Sequence, residues 1–173
     1  LCGYGASCDA HHATAPPEDG RGAEAAIRAA LREGSITPAA VDYVNAHGTG
    51  TPLNDSAETR AIMAALGSTT PVSSSKSFFG HTLGAAGAVE AVISILALQH
   101  QLAPPTLRLV EPAADCTLDY IPRDPRPLEM TNVLSNTFGF GGSNVTLLFR
   151  RASGQPGRFI EGRGEKTLVD DPG

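Results

Sequence analysis

Between Ala85 and Gln99 only Glu90 and Ser94 interrupt an otherwise apolar run. A helix that is apolar around most of its circumference needs cover on more than one side, so this segment predicts a buried helix in a layered structure. The run is too short and too interrupted to cross a bilayer. Pro104-Pro105 stops it, and six prolines between Pro104 and Pro127 mark an irregular connection with at most a short strand at Leu118–Ile121.

The remaining elements alternate around that helix. Leu1-Cys2-Gly3-Tyr4-Gly5 reads as the end of a strand, and with no initiating Met the sequence is expected to be an excised piece of something longer. Ala23, Ala26, Ile27, Ala30 and Leu31 recur at helical spacing opposite Glu24, Arg28 and Arg32, which predicts an amphipathic surface helix ending at Gly34. Thr37-Pro38 caps a short helical turn that leads into a strand over Val41–Ala46. A helix over about Asn54–Leu66 and a short strand over Pro71–Ser75 follow. Val133–Phe140 and Val145–Phe149, joined through Gly141-Gly142-Ser143-Asn144, are the best hairpin candidate. Residues 1–150 form one α/β domain on this reading, and residues 151–173 a disordered or vector-derived tail. Within that tail Ile160-Glu161-Gly162-Arg163 matches a protease recognition site.

Composition narrows the functional classes. The 13 basic against 18 acidic residues give a net charge of −5, which argues against non-specific binding to nucleic acid or anionic membranes. Three irregularly spaced cysteines, Cys2, Cys8 and Cys116, make neither a disulfide framework nor a zinc ligand set, and a reducing cytoplasm is the expected compartment. Cys8-Asp9-Ala10-His11-His12 has no second ligand pair to complete a metal site, so no metal is expected.

Two histidines stand in glycine-rich turns at strand-to-helix junctions: His47 in Asn45-Ala46-His47-Gly48-Thr49-Gly50-Thr51-Pro52, and His81 in Lys76-Ser77-Phe78-Phe79-Gly80-His81. Strand ends are where α/β proteins place reactive groups. An imidazole beside a helix N-terminus is held neutral and can donate a hydrogen bond, which suits polarising a thioester carbonyl. Lys76 is expected to face Asp55 and Glu58, which share one helix face at i, i+3, and so to set the field around both rings; a solvated ion pair is the alternative. Phe138-Gly139-Phe140-Gly141-Gly142-Ser143-Asn144 lacks the spacing of a nucleotide loop. It is either a tight hairpin with core aromatics or a backbone surface whose N–H stabilises an oxyanion.

Taken together, Tyr43 through Pro52, Ser74-Ser75-Lys76 through His81-Thr82-Leu83-Gly84-Ala85-Ala86-Gly87, and Asn136 through Asn144 resemble the β-ketoacyl-[acyl-carrier-protein] synthases in order and spacing. Gly3-Tyr4-Gly5, Asp9-Ala10, His12 and Leu118-Asp119-Tyr120-Ile121-Pro122 extend the resemblance over residues 1 to about 150. The resemblance implies the C-terminal half of a thiolase-like fold, a mixed sheet with buried and surface helices. It also implies an acyl-transferring enzyme of fatty-acid or polyketide synthesis that performs decarboxylative Claisen condensation, with acyl carrier protein as partner and a homodimer of the full-length enzyme. No cofactor is implied beyond the phosphopantetheine that carries the substrates.

In that scheme His47 and His81 donate to the malonyl thioester oxygen, while Lys76, Asp55 and Glu58 orient and tune them. Thr14, Thr49 and Thr51 match positions that bind the pantetheine arm. Phe138 and Phe140 match a gating loop, and the Phe140 N–H is an oxyanion donor. The family nucleophile is a cysteine of the first half, and none of Cys2, Cys8 and Cys116 matches its motif, so this chain alone is expected to be catalytically incomplete. Two other readings stand beside this one: a non-catalytic chain-length-factor-like subunit of a heterodimer, and a thiolase-type degradative enzyme. The retained pair of histidines argues against the first. The absence of a cysteine from Phe138–Asn144 argues against the second.

Overall fold

A computed structural model of the chain describes residues 1–152. The tail expected over 151–173, with its Ile160–Arg163 motif, lies outside the described residues from 153 onward.

A five-stranded mixed sheet organises the chain. Strands β1 (Gly3–Cys8), β2 (Tyr43–Asn45), β3 (Val72–Ser73), β6 (Asn132–Gly139) and β7 (Ser143–Arg150) lie in the order β1-β7-β6-β2-β3. The hairpin β6–β7 and the β1–β7 pair are antiparallel, whereas β2 runs parallel to both β6 and β3. Because strand side chains alternate, neighbouring residues feed two separate cores. Val44, Leu134 and Leu148 join helices α1 (Arg21–Glu33) and α2 (Pro52–Leu66) on one face, through Ile27, Leu31 and Ile62. Tyr43, Val133 and Phe149 join helix α4 (Ala86–His100) on the other, through Ala97 and Leu98.

Local chemistry accounts for the seats of these elements. In α1 the buried residues Ala23, Ala26, Ile27, Ala30 and Leu31 are those of the apolar stripe. The helix lies so close to β1 that a Cβ on Gly5 would sit 2.0 Å from the Ala26 carbonyl oxygen, so only glycine permits the contact. The N-terminus of α2 is capped by Thr51, whose hydroxyl accepts the Asn54 N–H at 3.4 Å, with Pro52 in the first turn. The expected turn at Thr37-Pro38 is a 3-10 helix over Pro38–Ala40.

Two expectations are corrected. Leu118–Ile121 forms no strand. Ile121 and Arg123 adopt positive φ (46° and 67°), and the Asp119 carboxylate takes the Ile121 N–H at 3.2 Å, so the segment turns instead of extending. The nearby pairing that does form is a two-stranded sheet of β4 (Leu102–Ala103) and β5 (Arg126–Pro127). It is set by Gln101, a left-handed cap on α4 whose side-chain amide bonds both the N–H and the carbonyl of Met130.

Helix α4 is not buried on most sides. Its polar residues Glu90 and Ser94 are fully buried against the sheet, while Val92, Ile95 and Leu96 are 56%, 38% and 45% exposed. A buried polar network draws Glu90 and Ser94 inward, and that orientation turns apolar side chains to the outside. The stretch Leu83–His100, with a mean hydropathy of 1.4, is apolar enough to cross a membrane by length and composition; here it covers one face of the sheet.

Candidate functional site

The parallel strand β2 ends at Asn45, and the chain turns sharply through Ala46–Gly50 into α2. Gly48 makes this turn at φ +43°, where a Cβ would lie 2.5 Å from that of Ser74. Glu58, nearly two turns into α2 and only 4% exposed, accepts the His47 and Gly48 N–H groups at 2.9 Å each, one on each carboxylate oxygen. Asp55 accepts the Gly50 N–H at 3.2 Å and the Asn54 side chain at 3.0 Å. The carboxylate pair therefore fastens the backbone of the loop that carries His47. Burial pushes the Glu58 carboxyl above its usual range, and the hydrogen bonds it accepts work against that push.

Lys76 does not face this pair. From the short helix α3 (Lys76–Phe79) its buried ammonium pairs with Glu90 of α4. The same ammonium donates to the His47 carbonyl oxygen at 2.6 Å and lies 3.3 Å from His47 Nδ1. The expected partner is displaced because Asp55 and Glu58 are occupied by backbone N–H groups, whereas Glu90 enters from the opposite face of the sheet. Burial raises the Glu90 carboxyl, opposed by Lys76.

The two imidazoles meet. His47 is buried and His81 exposed, and their centroids are 5.4 Å apart with the rings nearly perpendicular. Phe138 stands 5.4 Å from His47 on centroids. The His47 pKa is pushed down to about 3, first by burial, then by the Lys76 ammonium and then by His81. Macrodipole reasoning is thereby replaced for His47: α2 begins only at Pro52, and loss of water is the leading cause. His81 Nδ1 accepts the Leu83 N–H at 3.0 Å. Lys76 offers His47 Nδ1 only a donor. With both Nδ1 atoms acting as acceptors, each neutral ring carries its proton on Nε2 and presents an N–H there.

The other expected residues are more dispersed. Thr49 and Thr51 share a hydrogen bond at 3.0 Å and, with Lys76, His81, Leu107 and Tyr120, wall a cavity of about 750 Å³. His47, Phe138, Phe140 and Thr14 are not part of that wall. Thr14 is exposed, its N–H turned to His12 Nδ1 at 3.1 Å, and Phe140 is 81% exposed at the tip of the β6–β7 hairpin. The two neighbourhoods are tied together, since Gly141 donates to the Ala13 carbonyl at 2.7 Å and Asn144 to the Asp9 carboxylate at 2.7 Å. Among the described residues no group of three or more His, Cys, Asp or Glu side chains is arranged to hold a metal ion.

Sequence reasoning missed Glu90, Asn136 and Thr137. Asn136 donates to Glu58 Oε1 at 3.1 Å, and Thr137 donates to Glu90 Oε2 at 3.3 Å. Only Glu90 carried a signal: a single carboxylate within an apolar helix has to find a cation if it is buried.

Comparison with known proteins agrees with this architecture. The family model described as Beta-ketoacyl synthase, C-terminal domain, matches residues 1–110. The chain is 50% identical over 154 residues to 3-oxoacyl-[acyl-carrier-protein] synthase 2 of Synechocystis sp., covering 87% of this chain and 37% of that protein. It is 48% identical over 155 residues to the mitochondrial 3-oxoacyl-[acyl-carrier-protein] synthase of Arabidopsis thaliana, covering 86% and 34%. The chain thus spans little more than a third of the length of these relatives. Among solved structures, a type II polyketide ketosynthase in complex with its acyl-carrier protein and bound to a hexaketide superposes with a TM-score of 0.85 at 36% identity, covering 88% of this chain and 38% of that one. A ketosynthase from Xenorhabdus doucetiae in complex with its chain length factor superposes at 0.79 with 45% identity, covering 88% and 39%. The sheet, its helices and their order are those of the second half of the thiolase-like fold, and the chain belongs to the β-ketoacyl synthase family, whose C-terminal domain it carries.

Proposed function

We propose that this chain supplies the enolate-stabilising half of a β-ketoacyl-[acyl-carrier-protein] synthase. The observation that carries the reading is the pair of imidazoles with centroids 5.4 Å apart, each with Nδ1 facing a donor, so that Nε2 is the ring nitrogen left to present an N–H. At that spacing one thioester oxygen lies within reach of both donors. When the bond from C2 of a malonyl thioester to its carboxylate breaks, carbon dioxide leaves and the electron pair stays behind as an enolate, its negative charge on that oxygen. Two donors aimed at charge that develops only along the reaction path lower the barrier without binding the ground state equally well. A neutral His47 donates without itself requiring a proton from solvent, and its depressed pKa keeps it neutral through the physiological range.

The enolate carbon then attacks an acyl thioester, forming the new carbon–carbon bond and expelling the thiolate. In this reading the nucleophile that holds the acyl group is a cysteine outside this sequence, since none of Cys2, Cys8 and Cys116 matches the family's motif. Thr49, Thr51 and Thr14 hold the pantetheine arm in this reading. Phe138 packs on His47, and Phe140 supplies the gating side chain and one oxyanion N–H. Acyl carrier protein delivers the substrates to a homodimer of the complete enzyme in the cytoplasm. The chemistry as written calls for no metal or redox cofactor, because decarboxylation itself provides the electron pair.

The test is decarboxylation of malonyl carrier protein by the complete enzyme. His47→Ala and His81→Ala should each lower kcat by about 100-fold or more, the usual cost of losing one oxyanion donor. Parental rates in either variant would overturn the reading.

A further inference from the structure

Three consecutive residues of β6 reach His47 by three separate routes. Strand side chains alternate between faces, so Asn136 and Phe138 point toward α2 and Thr137 toward α4. Asn136 is fully buried, and its Nδ2 donates to the Glu58 carboxylate that holds the His47 and Gly48 N–H groups. Its amide cannot turn over freely, because Oδ1 accepts the hydroxyl of Thr146, its register partner on β7, at 2.9 Å. On the other face Thr137 donates to Glu90 Oε2, Glu90 pairs with Lys76, and the Lys76 ammonium meets the His47 carbonyl oxygen and Nδ1. Phe138 touches the imidazole directly. The backbone of His47, the tautomer of its ring and one face of that ring thus all trace to positions 136, 137 and 138.

We propose that Asn136 and Thr137 are positioning residues for His47, acting through Glu58 and through Glu90–Lys76 respectively, with β6 as the strand that aligns the imidazole from both faces of the sheet. The proposal rests on the reading of His47 as an enolate donor. Neither residue need touch substrate: losing either lets the loop or the ring drift, and lowers kcat while leaving KM unchanged.

On its face of the sheet Asn136 meets the Glu58 carboxylate of α2, which holds the His47 and Gly48 N–H groups and has Asp55 as its charged neighbour, while β7 contributes the Thr146 hydroxyl; Glu90 and Lys76 are reached from the other face, through Thr137. Asn136→Asp would set a second carboxyl against Glu58. At high pH both are ionised and repel. As pH falls one proton enters the pair, and the new acid can then donate to Glu58 as the amide did. Asn136→Leu removes the donor at every pH.

The experiment measures malonyl decarboxylation by the complete enzyme from pH 6 to 8.5, with His47→Ala alongside and with 13C-labelled histidine for NMR. At pH 8.5, Asn136→Asp and Asn136→Leu should lower kcat by about 10- to 100-fold with KM within about twofold, the scale of a small misplacement of a catalytic group. The ratio of Asn136→Asp to parent should then climb about fivefold or more toward pH 6, whereas that of Asn136→Leu stays flat. Thr137→Val should lower kcat and shift the His47 ring resonances, and Thr137→Ser, which keeps the hydroxyl, should restore both. A flat Asn136→Asp ratio overturns the role of Asn136, and a parental Thr137→Val overturns that of Thr137. If the Asn136 variants do not fold, Thr146→Val, which frees the Asn136 amide to turn, takes their place: a lowered kcat with shifted His47 ring resonances supports the role of Asn136, and parental values of both overturn it. If His47→Ala itself decarboxylates normally, the functional reading has failed, and the ring resonances alone judge the positioning: unchanged shifts in Asn136→Asp and Thr137→Val overturn it.

Discussion

Acidification offers a direct measure of how His47 is held. Its imidazole would take up a proton near pH 6.5 in the unfolded chain, but in the fold its pKa is pushed down to about 3. A group depressed in the folded state contributes stability that is present above its unfolded pKa and is lost as pH falls through the folded one. By pH 4 the unfolded ring is charged and the folded ring is not. At about 1.4 kcal/mol per pH unit, that difference removes about 3 kcal/mol of stability between neutral pH and pH 4. Glu58 and Glu90, raised by burial, act in the opposite sense: what they contribute is present at low pH and lost as pH rises through their folded values. Comparing the parent with His47→Asn cancels both to first order. Urea denaturation at pH 7, 5.5 and 4 should show the parent losing about 3 kcal/mol relative to the variant, with most of the loss below pH 6. NMR of the labelled imidazole should show no titration of His47 above pH 4. A ring titrating near 6.5, or a stability difference independent of pH, would refute the claim that burial and Lys76 keep this histidine neutral.

Three further outcomes check the packing around it. Lys76→Met leaves the Glu90 carboxylate buried without its cation and should cost about 3–5 kcal/mol in urea denaturation, while Lys76→Met with Glu90→Leu should recover most of that loss; an additive double variant would contradict the pairing. Gly5→Ala forces a Cβ to within 2.0 Å of the Ala26 carbonyl oxygen, so α1 must lift from β1. A loss of about 1–3 kcal/mol, seen as a lower Tm in calorimetry, is expected, and an unchanged Tm would deny the close contact. The 173-residue chain by itself should self-associate through Val92, Ile95 and Leu96 of α4. Sedimentation velocity should find Ile95→Lys with Leu96→Glu monomeric and the parent larger; a monomeric parent would remove that face from consideration.

Much of the architecture follows from local rules. Period 3.6 in Ala23–Leu31 reflects one helix face meeting one core, and the apolar runs Val133–Phe140 and Val145–Phe149 reflect strands with a core on each face; a linear pattern records both. The turn at Gly141-Gly142 and the helical turn at Thr37-Pro38 are equally local, because glycine opens conformations closed to other residues and proline fixes φ wherever they stand. Both histidines were legible for the same reason: each sits at a junction that composition alone marks out.

Pairing across the sheet is not written in any one stretch. Whether Lys76 meets Glu58 or Glu90 depends on which side of β2 each helix packs, and these residues come from three different helices. A periodicity argument also orients α4 by its apolar majority, whereas the cost of leaving Glu90 and Ser94 unpaired outweighs the exposure of Val92, Ile95 and Leu96. Asn136 and Thr137 stood out only as part of the stretch that carries the resemblance and their roles were not legible, since an amide and a hydroxyl on a strand read as ordinary until the groups they bond are known. The sequence by itself determined the main helices and strands and the two imidazole-bearing turns, because backbone preference and burial period act over a few residues. Tertiary structure alone decided which carboxylate neutralises the lysine, why His47 is uncharged and what aligns it, because those follow from distances between segments that only folding brings together.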